Sequence, residues 1–337
     1  MSELLVQVTR GGYVESRHYG DVAIINGDGK LLYKVGDPYR FTFWRSAAKP
    51  FQAIPLVESG GIEKYNITQE ELALMTSSHG GEEAHVRAVR GILDKIHRKE
   101  AELDCGIAVP MHGDTASKLL REGKDYLSVN NACSGKHAAM LALGDLLSIS
   151  TENYILADHP IQQMMHHVIA ESCNMPLEEV KVAVDGCGVP VFGMGINEMA
   201  LAYARLSKPE SYFPPKRGAA LRKILNAMIR HPFYVAGTDR LDTVLMQITN
   251  GRIVAKLGAE SVYCVGIVDQ GIGICLKIDD GNYRAIDPVI IDILKTLGFI
   301  TPEEFKQLEP RWKPKLYNHR KDIIGELIPV FSLLKCE

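Results

Sequence analysis

Trp44-Arg45-Ser46-Ala47-Ala48-Lys49-Pro50-Phe51 joins a strand-like segment to an apolar helical one, and it marks where the chain changes character. Serine and lysine stand three residues apart. A helical turn beginning at Ser46 lays the Lys49 amine over the same face as the Ser46 hydroxyl, at the electropositive end of the helix. A hydroxyl so placed can be deprotonated and can attack a carbonyl carbon, which makes acyl transfer the leading chemistry. The Ser-x-x-Lys pattern alone is cheap: Ser332-Leu333-Leu334-Lys335 at the tail repeats it without comparable context. The surroundings of Ser46 therefore decide its meaning.

The 337 residues, 46% hydrophobic and 23% charged, suffice for one large domain or two modest ones with a full core. A net charge of −3 leaves no basic field for nucleic acid, and no basic run exceeds His97-Arg98-Lys99. A small-molecule substrate is the expected partner. The opening Met1-Ser2-Glu3-Leu4-Leu5-Val6-Gln7-Val8 lacks a basic stretch followed by an apolar one, and no apolar run is long enough to span a bilayer. These features predict a cytoplasmic protein without a membrane partner. Seven cysteines in no framework spacing argue against structural disulfides, and Cys264 and Cys275, inside apolar strand-like runs, read as core thiols.

Residues 4 to 8, 20 to 26 and 30 to 35 read as strands, with Asn26-Gly27-Asp28-Gly29 as a tight turn between the second and third. From Ser46 to about Met246 the pattern is mostly helical. A capping box runs from Thr68 to Glu71, and apolar periodicity marks 82 to 97, 134 to 147, 160 to 172 and 216 to 230. Strand character returns at Ile253-Val254-Ala255, Val262 to Val268, Ile272 to Ile278 and Tyr283 to Ile286. Strands from both chain ends around a helical middle predict an α+β fold, one antiparallel sheet with helices packed on it. No linker or repeat divides the chain. It reads as a single domain of two lobes, about 1–45 plus 250–337 for the sheet and about 46–249 for the helices, with the cleft between them.

Four further segments combine glycine with reactive side chains. Thr76-Ser77-Ser78-His79-Gly80-Gly81-Glu82 falls at a helix break, where its plain reading is a turn satisfied by backbone and its sharper one a second hydroxyl relaying protons near Ser46. Asn130-Asn131-Ala132-Cys133-Ser134-Gly135-Lys136-His137 puts a thiol and an amine one helical turn apart at a helix start that favours the thiolate. A metal there needs a lysine ligand, rare because the amine must first lose its proton, at about 4 kcal/mol near neutral pH. Val184-Asp185-Gly186-Cys187-Gly188-Val189-Pro190 offers a carboxylate and a thiol on a glycine-rich loop. Lys256-Leu257-Gly258-Ala259-Glu260 follows a strand, and its small residues let a carbonyl approach the backbone. An amino-acid substrate needs a cation for its α-carboxylate and an anion for its α-ammonium. Arg45, Asp185 and Glu260 are the candidates, each equally readable as an outer salt bridge.

Taken in order with His231-Pro232-Phe233-Tyr234-Val235-Ala236-Gly237, these segments resemble the motif series of the Rhizobium etli type (class 3) L-asparaginases over nearly the whole chain. The resemblance implies a fold similar to β-lactamases, transpeptidases and serine-dependent glutaminases. It also implies L-asparagine hydrolysis through a serine acyl-enzyme, with Ser46 and Lys49 as one serine-lysine pair and Ser78 and Lys256 as a second. Cys133, Lys136 and Cys187 would hold one zinc ion that assists substrate binding, with His137 as a fourth ligand or outer partner near the substrate. A homodimer is implied as well. Other serine-lysine amidohydrolases, glutaminases or β-lactam- and peptide-directed acyl transferases among them, remain the alternative. One departure stands out: Ser261 occupies a position where the family usually carries glycine.

Overall fold

Nine strands form one sheet in which every neighbouring pair runs antiparallel, as seen in a computed structural model describing residues 1–337. The chain has twelve strands in all, beginning with β1 (Glu3–Arg10), β2 (Tyr13–Asn26), β3 (Leu31–Val35), β4 (Phe41–Phe43), β5 (Lys181–Val184) and β6 (Pro190–Gly195). After the helical stretch come β7 (Ile253–Gly258), β8 (Val262–Ile267), β9 (Ile272–Ile278), β10 (Lys315–Tyr317), β11 (Ile323–Pro329) and β12 (Leu334–Lys335). The large sheet has the order β10-β11-β1-β2-β9-β8-β7, with β3 pairing both β2 and β12. Both chain ends thus build it, and the α+β architecture expected from the strand pattern is what the structure has.

Side chains alternate across this sheet as the period of two requires. Ala23, Ile25, Val254, Cys264 and Cys275 face the helical mass, while Val22, Ile24, Tyr263, Val265, Ile274 and Leu276 face the C-terminal helices Ile286–Thr296 and Pro302–Trp312. Two cores therefore lie on opposite faces. Helix Ile196–Ser207 rests directly on β2, β8 and β9. Gly273 makes this approach possible, since a Cβ there would stand 1.9 Å from the Ala200 carbonyl oxygen; its cross-strand partner Gly266 faces the Tyr203 carbonyl in the same way.

Several sequence expectations need correction. Tyr283 to Ile286 is not a strand: Tyr283–Ala285 is a 3₁₀ turn leading into helix Ile286–Thr296. The Asn282 side chain accepts the Arg284 N–H, and Ile286, Val289, Ile290 and Ile293 recur at helical spacing on the buried face. The second strand starts at Tyr13 rather than residue 20, after a turn at Gly11 and Gly12 with φ of +54° and +87°. Phe41–Phe43, placed with the sheet lobe from sequence, pairs instead with β6, which also pairs β5, in a separate three-stranded sheet. That small sheet interrupts the helical middle, whose helices Gln69–Met75, Glu83–Lys95, Ser134–Leu147, Pro160–Cys173 and Pro215–Arg230 otherwise follow the periodic segments. The capping box forms at Thr68, with Glu71 N–H donating to Thr68 Oγ1 and Thr68 N–H to the Glu71 carboxylate. No helix is long and apolar enough to cross a membrane.

Candidate active site

Strand β4 ends at Phe43, and the chain turns at once into the 3₁₀ turn Arg45–Ala48 and the short helix Lys49–Gln52. Arg45 holds φ at +53°, a left-handed conformation unusual for a residue with a Cβ and of the kind that collects at functional sites. The turn is tied down around it. Trp44 is fully buried, its N–H donating to the Phe192 carbonyl and its indole N–H to Cys264 Sγ at 3.4 Å. Tyr203 donates to the Ala47 carbonyl at 2.8 Å, and its ring meets those of Trp44 and Phe51 edge-on. From the other side, β7 presses so close that a Cβ on Gly258 would lie 2.7 Å from the Trp44 carbonyl oxygen.

A cavity of about 250 Å³ opens at this turn. Ser46, Ser78, Arg45, Asp185, Cys133 and Cys187 line it, as does Ala259 at the end of β7. Lys49 is fully buried behind them. Its Nζ donates to Ser78 Oγ at 3.1 Å and lies 3.2 Å from Cys133 Sγ, with the Ser77 and Ala132 carbonyls as further acceptors. Ser46 Oγ and Lys49 Nζ are one helical turn apart and do not bond each other. Lys256, on β7, is fully buried and donates to the Leu257 carbonyl at 2.9 Å rather than to Ser78. Burial drives its pKa down to about 7, helped by Lys49 and Arg240 and opposed by Asp242. Near neutral pH, Lys256 is thus a lysine that can change protonation state.

Ser78 is held from behind by one other motif. Its N–H donates to the Val235 carbonyl, from the helix Pro232–Ala236 inside the His231 to Gly237 motif. Thr238 binds the Glu82 carboxylate through both its N–H and its hydroxyl. His79 takes no part in the cavity: Ser134 Oγ donates to Val129, so the His79 Nε2–H donates to Ser134 while Nδ1 accepts the Gly81 N–H. Burial, with His85 and Lys49 nearby, keeps that ring well below its usual pKa, and hence neutral.

The thiol-amine cluster forms the floor. Lys136 Nζ lies 3.2 Å from Cys187 Sγ, and the Cys187 thiol in turn lies 3.8 Å from Asp185 Oδ2. The neighbouring Cys187 thiol, with Lys49 and Lys136, lowers the Cys133 pKa against the cost of burial, while Cys133 and burial raise that of Cys187. Burial favours a neutral Lys136, but Cys187, Cys133 and Asp185 outweigh it and raise its pKa. No three His, Cys, Asp or Glu side chains converge anywhere in the chain, so a metal here needs the lysine amine as its third donor. Two thiols and an amine, Cys187 and Lys136 buried and Cys133 partly so, form a soft donor set that fits zinc.

The remaining sequence candidates are distributed unevenly. Arg45 and Asp185 meet at the cavity, Nε donating to Oδ1 at 2.8 Å. Burial works against the Asp185 carboxylate, yet Lys136 and Arg45 hold its pKa below the usual range. Glu260 is exposed in the turn between β7 and β8, its carboxylate against Gly281, and does not line the cavity. His137 is buried below the floor, where Nδ1 meets Tyr154 Oη at 2.7 Å and Nε2 has no partner. Ser261 sits beside Glu260 with φ of +56°, fully buried, its hydroxyl unpartnered. Glycine is at ease in that conformation, which gives a backbone reason for the residue usual in the family. Sequence reasoning missed Arg240, Met111 and Tyr283, which also line the cavity. Arg240 follows the His231 to Gly237 motif by three residues, the only hint of its position.

Among solved structures, the chain is similar to a β-lactamase from Mycobacterium bovis at 13% identity and a TM-score of 0.42, covering 83% of this chain and 95% of that one. It is also similar to a protein designated Mglu in its native form, at 15% identity and a TM-score of 0.37, covering 83% and 61%. An octameric penicillin-binding protein homologue from Pyrococcus abyssi matches at 14% identity and a TM-score of 0.32, over 83% and 73%. No curated protein matches the sequence. The profile of the L-asparaginase II family, by contrast, matches residues 6–329, from β1 through β11, with every residue that lines the cavity inside its span; the chain belongs to that family of asparaginase-like amidohydrolases.

Proposed function

We propose that the protein is an L-asparaginase that hydrolyses L-asparagine to L-aspartate and ammonia through an acyl-enzyme on Ser46. The observation that carries this reading is the meeting, in one 250 Å³ cavity, of Ser46 and Ser78 with the Arg45–Asp185 ion pair, over a buried Lys49 already bonded to Ser78. Nucleophile and amino-acid recognition then share one small space.

In the proposed reaction Lys49 is the base that takes the Ser46 proton as Oγ attacks the side-chain amide carbon. The backbone N–H groups of Ser46 and Ala259 would receive the oxyanion, on two elements that touch where Gly258 packs against Trp44. The carbon–nitrogen bond breaks, a proton returns through Ser78 to the departing amide nitrogen, and ammonia leaves. Lys256, with its pKa of about 7, is suited to exchange protons with this pair. Water then cleaves the ester, Ser46 regains its proton and aspartate departs. Asp185 Oδ2, free of the Arg45 bond, would accept the α-ammonium. Cys133, Lys136 and Cys187 would hold a zinc ion, which would add positive charge next to the bound substrate. Glu260 and His137, outside the cavity, have no direct part in this scheme. The homodimer belongs to the same proposal, and sedimentation distinguishes it from a 37.3 kDa protomer.

Ammonia release from L-asparagine and L-glutamine by wild type and Ser46→Ala tests the reading. Turnover of asparagine that falls by several orders of magnitude in the variant is expected, and a loss below about tenfold rejects Ser46 as nucleophile. The two amides differ by one methylene, worth about 1–3 kcal/mol in a pocket, so their ratio measures specificity directly.

A further inference from the structure

Two arginines line the cavity, and only one has a carboxylate within ion-pair distance. Arg45 is paired with Asp185. Arg240 lies between the short helix Pro232–Ala236 and the helix Leu241–Ile248, half-buried, and donates to no carboxylate or carbonyl. Every other half-buried arginine of the chain has such a partner: Arg205 donates to the Gly27 carbonyl, Arg311 to Asp287 and the Asp239 carbonyl, Arg40 to Asp279. Carboxylates lie near Arg240 but are engaged elsewhere, Asp242 by the Leu257 N–H and Asp287 by Arg311. A half-buried guanidinium with no hydrogen-bond partner in the protein keeps its donors for an incoming anion.

Arg240 also lines a second cavity of about 270 Å³ that shares Met111, Leu257 and Tyr283 with the first. It therefore stands on the wall of the Ser46 cavity, and a guanidinium with no internal partner is a planar fork suited to bidentate recognition of a carboxylate. We propose that Arg240 is the anchor for the α-carboxylate of the amino-acid substrate, the role that sequence reasoning gave to Arg45. This rests on the asparaginase reading and sharpens it: amides that carry the carboxylate are favoured over amides that lack it, because only the former supply a counter-charge to Arg240.

The test compares wild type with Arg240→Gln and Arg240→Lys on three amides. L-asparagine carries both α groups, succinamic acid lacks the α-amine, and 3-aminopropanamide lacks the α-carboxylate. A charge-assisted bond lost in Arg240→Gln should raise KM for L-asparagine and succinamic acid by about 10- to 150-fold. Arg240→Lys should recover part of this. For 3-aminopropanamide, wild type and Arg240→Gln should differ less than about threefold in kcat/KM. Equal losses on all three amides, or a KM for asparagine within threefold of wild type, overturn the assignment. Failure of the asparaginase reading appears separately, as no ammonia from any amide with folded wild type. Calorimetric binding of L-aspartate still decides in that case: binding by wild type that Arg240→Gln weakens at least tenfold supports the anchor, and equal or absent binding overturns it.

Discussion

Replacing Lys256 with methionine should stabilise the folded protein at mildly acidic pH, and that advantage should fall away as pH rises. Lys256 is fully buried, and burial lowers its pKa from the ordinary 10.5 to about 7. The folded chain therefore gives up this proton more readily than the unfolded chain does. Between pH 7 and 10.5 the unfolded state binds a proton that the folded state lacks, so folded stability rises with pH across that window. Below pH 7 the full penalty is present, about 5 kcal/mol at 1.36 kcal/mol for each pH unit between the two values; above 10.5 it is gone. At pH 6.5 the penalty is about 4–5 kcal/mol and at pH 9.5 about 1–1.5 kcal/mol. Lys256→Met also leaves the Leu257 carbonyl without its donor, a cost of about 1–3 kcal/mol, but this cost is the same at both pH values and cancels. Urea denaturation of wild type and Lys256→Met at pH 6.5 and 9.5 should show the variant's advantage shrinking by about 3 kcal/mol as pH rises. An advantage unchanged within 1 kcal/mol, or one that grows with pH, would refute the buried, low-pKa amine.

Ser261→Gly should raise stability by about 1–2 kcal/mol, a Tm gain of about 1–3 °C in scanning calorimetry, because it relieves a left-handed serine and a buried unpartnered hydroxyl. Gly273→Ala forces a Cβ into the Ala200 carbonyl and should cost about 3 kcal/mol or more, seen as a lower urea midpoint; a midpoint equal to wild type would mean that helix and sheet are not in contact there. Elemental analysis should find about one zinc per chain in wild type and a clear deficit in Cys133→Ala, and equal content in both removes Cys133 as a ligand.

Long periodic segments were legible because their signal is local. The Thr68 capping box and the helix Ser134–Leu147 depend on residues within a turn or two of one another, and both formed where the pattern put them. The end of the chain was harder: β10 and β12 span three and two residues, too short for alternation to register. Tyr283 to Ile286 misled because four residues rich in aromatic and branched side chains suit a strand as well as a helix entry. At the site, motif order identified the residues around Ser46 but not their partners. Arg45 and Asp185 lie 140 positions apart, and their pairing follows from the fold. Arg240 was invisible for the same reason, since lacking a partner is a property of three-dimensional surroundings.

The small sheet sets the scale on which the proposed substrate is measured. Strand β4 leads into Ser46, β5 leads into Asp185, and β6 pairs with both, Phe43 opposite Gly193 and Val184 opposite Pro190. The distance between the attacking oxygen and the carboxylate that would receive the α-ammonium is thus read off one ladder of backbone hydrogen bonds. Such a ruler has coarse graduations: register can change only in steps of about 3.3 Å, and a single step also turns each side chain to the opposite face. Asparagine and glutamine differ by one carbon–carbon bond, about 1.5 Å, which falls between two marks. Any drift in preference from one amide to the other must therefore come from side chains lining the cavity, because the ladder itself cannot be reset by so little.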